Sequence, residues 1–69
     1  MSNFQERVRI LRKQKHLNQH DAAVALGISM SSYCRYEQGV REPPLSLLWK
    51  MADYFEVSVD YLIGRTDTP

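Results

Sequence analysis

The side chains with the greatest capacity for chemistry lie in one short segment, residues 29–38. Arg35 carries a planar guanidinium that can donate two hydrogen bonds to guanine O6 and N7, or clamp a phosphate instead. Ser31 can donate or accept a hydrogen bond, and Met30 offers an apolar contact, for example to a thymine methyl group. These residue types can contact a nucleic acid, with base and phosphate contact both open for Arg35, while Met30 and Ser31 equally suit a helix face exposed to solvent.

The sequence contains no motif whose residue types and spacing are typical of a catalytic or metal-binding site. We find no nucleophile–base pair and no phosphate-binding loop, so we expect no enzyme activity, no cofactor and no small-molecule site. His16 and His20 are separated by a predicted helix boundary, and no cysteine or carboxylate cluster completes a metal site around them. The single Cys34 cannot form an internal disulfide, which agrees with a reducing compartment.

The charge distribution is uneven although the net charge is only +1. Residues 1–41 contain seven basic and three acidic side chains, whereas residues 42–69 contain two basic and five acidic ones. This separation suits a face turned toward a polyanion, but it also arises by chance on solvated helices. The sequence has no export signal and no apolar run near the roughly 20 residues that cross a bilayer, so we expect an unprocessed cytoplasmic chain without a membrane segment.

The elements that must position these residues are short helices, since no strand-like alternation occurs. Apolar spacing and stop signals predict five of them, at about 3–15, 19–26, 30–38, 45–55 and 59–63. Ser2 and Gln5 have the spacing of a capping box for the first helix, and residues 65–69 are expected to be frayed. The other predicted N-caps are Asn18, Ser29 and Ser58. The glycines predicted to end helices are Gly27, Gly39 and Gly64.

Apolar residues recur on one side of three of these helices and predict a shared core. In the first helix the inward stripe is Phe4, Val8 and Leu11. In the third helix it is Tyr33, Tyr36 and Val40. In the fourth helix it is Leu45, Leu48, Trp49, Ala52 and Phe55.

Only about three residues, 27–29, separate the second and third helices, so their axes should cross steeply, as in a helix-turn-helix. From residue 18 to 39, and on to 64, the chain resembles the Cro/CI-type (XRE) helix-turn-helix family. The matching segments are Leu17-Asn18-Gln19, Ala23, Leu26-Gly27-Ile28-Ser29, Arg35-Tyr36-Glu37-Gln38-Gly39, Arg41-Glu42-Pro43 and Val57-Ser58-Val59-Asp60-Tyr61-Leu62. The resemblance implies an all-α, compact, lambda-repressor-like fold in a single domain, residues 1–69, with the helix-turn-helix at about 19–38.

The resemblance also implies roles for individual residues. The usual base-reading positions of the family are occupied here by Met30, Ser31 and Arg35, and Cys34, which lies near them, is a fourth base-reading candidate. The family's phosphate contact at the start of the second helix falls on Gln19, where free backbone N–H groups also suit an anion. The further phosphate candidates are Gln38, Arg41 with the N–H groups near Gly39, and Lys13 by diffuse attraction.

Two expectations concern the buried side of the third helix. In the resembling family an arginine of the first helix pairs with the glutamate found here at Glu37, which predicts a partly buried Arg12–Glu37 ion pair. The family usually has Ile or Val where Tyr33 stands, and Leu where Ala22 stands. We therefore expect Tyr33 to fill the space that Ala22 leaves, with its hydroxyl reaching the surface and a phosphate.

The function that the resemblance implies is sequence-specific binding of double-stranded DNA for transcriptional regulation, as a repressor of phage or bacterial type. The third helix would enter the major groove, and a homodimer would bind a palindromic operator with half-sites about 34 Å apart. The expected dimer interface is Val57, Val59, Leu62 and Ile63, although the same four residues also fit the core.

The alternative is a protein-interaction module, such as an antitoxin or adaptor, because Val24 and Ala25 make the second helix unusually apolar. Failure to bind random DNA at low salt would favour this alternative.

Overall fold

The computed structural model describes residues 4–69, and over this range the chain forms five α-helices and no strand. The helices are α1 (Phe4–Gln14), α2 (Gln19–Leu26), α3 (Met30–Gln38), α4 (Leu45–Phe55) and α5 (Val59–Leu62). The predicted all-α class is confirmed, and α2, α3 and α4 have the predicted bounds. None of these helices combines the length and the apolar character that crossing a bilayer requires.

The predicted ends of α1 and α5 are each one residue too late. α1 ends at Gln14 because the chain turns at His16, whose φ of +59° lies in the left-handed region. α5 ends at Leu62, and Ile63 caps it with φ −92° and ψ 4°. The predicted start of α1 at residue 3, and the capping box that depends on Ser2, lie outside the described residues.

The turn between α2 and α3 follows the local signals in the sequence. Asn18 accepts a hydrogen bond from the Asp21 N–H through Oδ1, at 2.7 Å, and so caps α2. Gly27 ends α2 with φ +70°, a left-handed conformation that glycine adopts without steric cost. Ser29 then caps α3 by accepting from the Ser32 N–H at 3.0 Å. The predicted helix-turn-helix is therefore present, and α3 packs against both α2 and α1.

The core lies between the inner faces of all five helices, but two predicted stripes are partly wrong. In α4, Leu45 and Trp49 are 67% and 63% exposed, and the helix buries Leu47 and Met51 instead. The predicted stripe and the buried one share Leu48, Ala52 and Phe55. Helical periodicity alone therefore did not decide which of the two overlapping faces is buried. Val40, predicted for the core with α3, is 71% exposed because it lies beyond the Gly39 cap that ends the helix.

The C-terminal segment 65–69, expected to be frayed, is instead joined to α1 and to the start of α5. The Arg7 guanidinium donates to the backbone carbonyls of Tyr61 and Thr66 and to Asp67 Oδ1, and lies 4.2 Å from the centre of the Tyr61 ring. The Ser58 N–H donates to the carbonyl of residue 69 at 3.1 Å. The sequence offers no local signal for the Arg7 contacts, because Arg7 is 59 and 60 positions from its partners Thr66 and Asp67.

Candidate nucleic-acid interface

α3 has two sides of opposite character. Met30, Ser31 and Arg35 are all exposed, and residues 31 and 35 are one helical turn apart, so they share a face. The other side of the helix is buried and consists of Tyr33, Tyr36 and Glu37. The three sequence-predicted base readers therefore stand together in solvent, on a helix whose opposite side packs inside the molecule.

The buried side of α3 is held by the Glu37 carboxylate, which is only 3% exposed as a residue. Arg12 donates Nε–H to Oε2 at 2.8 Å and Nη2–H to Oε1 at 3.0 Å. Tyr33 donates its hydroxyl to Oε2 at 2.6 Å, and Gln19 donates Nε2–H to Oε1 at 3.2 Å. The predicted Arg12–Glu37 ion pair is thus present, with the two side chains 11% and 4% exposed. α1, α2 and α3 all meet at this one carboxylate.

The electrostatics of this cluster favour its charged form. Burial alone would raise the pKa of Glu37, but the hydrogen bonds from Arg12, Tyr33 and Gln19 outweigh it and hold that pKa below its ordinary value. The hydrogen bond to Glu37 raises the pKa of Arg12. Because removing two charges from water is costly, such an ion pair stabilises the fold only if its hydrogen bonds are kept.

Tyr33 turns inward as expected, but its hydroxyl does not reach the surface. The residue is wholly buried, as is Ala22, and the phenolic O–H is committed to Glu37. Burial raises the pKa of Tyr33, and the hydrogen bond to Glu37 raises it further. The predicted phosphate contact of Tyr33 is therefore wrong, because a buried carboxylate already takes its only donor.

Gln19 and Cys34 form a contact between α2 and α3 that the sequence did not indicate. Gln19 is half-buried, and its Oε1 accepts a hydrogen bond from Cys34 Sγ at 3.4 Å. The Cys34 thiol thus has a partner on α2 rather than standing free beside Met30 and Arg35. The two residues lie fifteen positions apart, and only the packing of α2 against α3 joins them.

The remaining phosphate candidates, Gln38, Arg41 and Lys13, are exposed and accessible to a ligand. The backbone N–H groups near Gly39 are not available as predicted. Those of Gly39 and Val40 donate to the carbonyls of Tyr36 and Arg35, at 3.2 and 3.1 Å, and so complete the C-terminal cap of α3.

Of the four residues predicted for a dimer interface, Leu62 cannot contribute. It is wholly buried and packs in the core, because it lies on the side of α5 that faces α4 and α1. Val57, Val59 and Ile63 are partly buried against the same core and keep some exposed surface. No group of three or more metal-ligating side chains occurs between residues 4 and 69.

Comparison with known proteins decides the family. A family model described as helix-turn-helix matches residues 8–62, from the middle of α1 to the end of α5. This chain belongs to the Cro/CI-type helix-turn-helix family. That family is one of DNA-binding transcription regulators. Its helix-turn-helix corresponds here to α2 and α3.

Relatives of this Cro/CI-type domain carry matching names. It is 44% identical over 64 residues to the uncharacterized HTH-type transcriptional regulator YobD of Bacillus subtilis. The aligned region covers 93% of this chain and 57% of YobD. It is 42% identical over 60 residues to the HTH-type transcriptional regulator AnsR of the same organism, covering 87% of this chain and 52% of AnsR.

A third relative is the cryptic phage CTXphi transcriptional repressor RstR of Vibrio cholerae. It is 31% identical over 65 residues, covering 94% of this chain and 59% of RstR. The chain therefore spans little more than half the length of these relatives.

Proposed function

We propose that this chain is the sequence-specific DNA-binding domain of a transcriptional repressor, and that α3 enters the major groove of duplex DNA. The observation that carries the proposal is the two-sided character of α3. Met30, Ser31 and Arg35 are exposed together, while Glu37 fixes the opposite side to α1. The major groove admits an α-helix, and a helix held on one side can enter it without disturbing the core.

Within this proposal the exposed residues divide into two sets. Arg35 reads a guanine, Met30 contacts a thymine methyl group, and Ser31 contributes a less selective hydrogen bond. The residues that contact phosphates are Gln19, Gln38, Arg41 and Lys13. The phosphate contacts orient the domain on the duplex, and the base contacts select the sequence.

The domain, residues 1–69, acts as a homodimer on a palindromic operator with half-sites about 34 Å apart. Val57, Val59 and Ile63 supply the contact between the two copies, since each keeps part of its apolar side chain outside the core. The activity is binding without catalysis, and its place is the cytoplasm, where bacterial and phage DNA is read. An Ile63→Asp variant should weaken both the dimer and cooperative operator binding.

Selection of bound duplexes from a random DNA pool tests the proposal. We expect a palindromic consensus. Arg35→Ala should lower the binding free energy by about 1–3 kcal/mol and reduce the sequence preference at one base position. Arg65→Ala is the matched control, because it removes the same charge from an exposed site in the C-terminal segment. Uniform weakening across all sequences would make Arg35 a phosphate contact, and a pool without enrichment would reject sequence-specific binding.

One observation favours a second function, a protein-binding module. Val24 is 65% exposed in the middle of α2, where it has no part in the core. A titration with random duplex DNA at low salt separates the two functions, because a DNA-binding domain should bind there and a dedicated protein-binding module should not.

A further inference from the structure

We propose that Cys34 is a positioning residue that holds the Gln19 carboxamide ready for a phosphate oxygen of DNA. The proposal rests on the DNA-binding function above and assigns Cys34 a different task from base reading. Its thiol is one of two anchors that fix the amide plane of Gln19, at the junction of α2 and α3.

The first anchor is the buried carboxylate of Glu37. Gln19 Nε2 lies 3.2 Å from Glu37 Oε1, and an ionised carboxylate can only accept hydrogen bonds. The amide nitrogen must therefore face Glu37, which fixes which end of the carboxamide is which. Glu37 cannot shift to follow Gln19, because Arg12 grips both of its oxygens at 2.8 and 3.0 Å.

The second anchor is the thiol of Cys34, which donates to Gln19 Oε1 at 3.4 Å. A carboxamide held by one hydrogen bond can still swing about it, whereas bonds at both ends fix its plane. Nε2 carries two N–H groups, and Glu37 takes one of them. The other is left for an acceptor outside the protein, and fixing the plane fixes the direction in which it points.

The position of Gln19 makes a phosphate the fitting acceptor. Gln19 is the first residue of α2, where backbone N–H groups of the first turn lack helical partners and the helix dipole favours an anion. Because the backbone phosphates are chemically the same whatever the base sequence, Cys34 affects the affinity for all duplexes equally. Met30, Ser31 and Arg35, in contrast, act on the choice of sequence.

A double-mutant cycle on Gln19 and Cys34 tests the proposal. Dissociation constants are measured for the wild type, Cys34→Ala, Gln19→Ala and the double variant, on a selected operator and on random duplex. Cys34→Ala should weaken binding to both duplexes about two- to fivefold, which corresponds to the loss of one modest hydrogen bond. It should have no further effect once Gln19 is alanine, because the group that it positions is gone.

Two further variants separate positioning from structure. Cys34→Ser keeps a donor and should retain wild-type affinity, while Cys34→Val fills a similar volume without a donor and should behave like the alanine variant. The salt dependence of binding should stay unchanged in all Cys34 and Gln19 variants, because a neutral amide displaces no counterion. Arg41→Ala, in contrast, should lower the slope of log affinity against log salt by about 0.9.

The proposal is overturned if the Cys34 and Gln19 effects add, if serine fails to restore affinity, or if Cys34→Ala binds like the wild type while Gln19→Ala binds weakly. A loss confined to one base position would return Cys34 to the base-reading set. If the wild type binds no duplex at all, the DNA-binding function fails and this inference with it, so the two failures are distinguishable. Thermal unfolding of each variant shows that the folded domain is compared.

Discussion

Replacing Glu37 with glutamine tests whether one buried carboxylate fastens the recognition helix to the rest of the domain. The substitution keeps the size of the side chain but turns one acceptor oxygen into an NH₂ group. Arg12 donates Nε–H to one oxygen of Glu37 and Nη2–H to the other. In either orientation of the new amide, therefore, one N–H of Arg12 faces another donor, and the guanidinium loses its counter-charge.

The expected cost follows from the burial of the pair. The Arg12 and Glu37 side chains are 11% and 4% exposed, so water can replace little of what is lost. Removing one partner of a buried ion pair costs about 3–5 kcal/mol of folding free energy. For a domain of this length, each kcal/mol lowers the melting temperature by about 4–8 °C, so we expect a decrease of about 12 °C or more.

Thermal and urea unfolding followed by far-ultraviolet circular dichroism measures this cost. Glu42→Gln is the matched control, because it removes the same charge from an exposed residue just beyond α3 and should change stability little. A loss below about 1 kcal/mol for Glu37→Gln is what an exposed ion pair gives. That result would refute the reasoning, because it would mean that water reaches Arg12 once the carboxylate is gone.

Three other predictions concern Glu37, its partner Tyr33 and the glycine that ends α3. Because the pKa of Glu37 is lowered in the folded protein, its contribution to stability is full above the unfolded value of about 4.3 and is lost as pH falls through the folded value. Urea unfolding at stepped pH should show this loss below about pH 4 in the wild type and not in Glu37→Gln; parallel curves would contradict it. Tyr33→Phe should cost about 1.5–3 kcal/mol in urea unfolding, because its hydroxyl donates to a charged acceptor, and an unchanged midpoint would count against that bond. Gly39→Ala should lower the free energy of unfolding, measured with urea, by about 1–2 kcal/mol because its φ is +80°. A collision with the Gln5 side chain should add to this loss, and a Gln5→Ala background should relieve only the collision. Full recovery of stability in that background would contradict the cost assigned to the backbone conformation.

The helix boundaries were predictable because their causes are local. Asn18 and Ser29 cap the helices that follow them, and Gly27 and Gly39 end the helices before them, within a few residues of the signal itself. The buried side of α4 was not predictable to the same degree. Leu48, Ala52 and Phe55 belong to two overlapping stripes, and only packing against α2 and α5 decides that Met51 rather than Trp49 faces the core.

The candidate site divides in the same way. The exposure of Met30, Ser31 and Arg35 followed from helical periodicity and the turn at Gly27, and the structure places them in solvent. The Arg12–Glu37 pair was predicted only through the family resemblance, because its partners are 25 residues apart.

The contact between Gln19 and Cys34 could not be predicted from the sequence, because its partners lie fifteen positions apart and meet only through the packing of α2 against α3. Tyr33 and Glu37, in contrast, are four residues apart in α3 and so share a helix face. That spacing was a usable signal, which the expectation of a surface-facing Tyr33 hydroxyl passed over.

The position of Trp49 has a practical consequence for spectroscopy. It is the only tryptophan of the chain and is 63% exposed on the outer side of α4. Its indole is already surrounded largely by water in the native molecule, so its emission should change little when the core is lost. Intrinsic fluorescence excited at the indole band would therefore make a stable domain look featureless in denaturant, while remaining sensitive to anything that covers this side of α4.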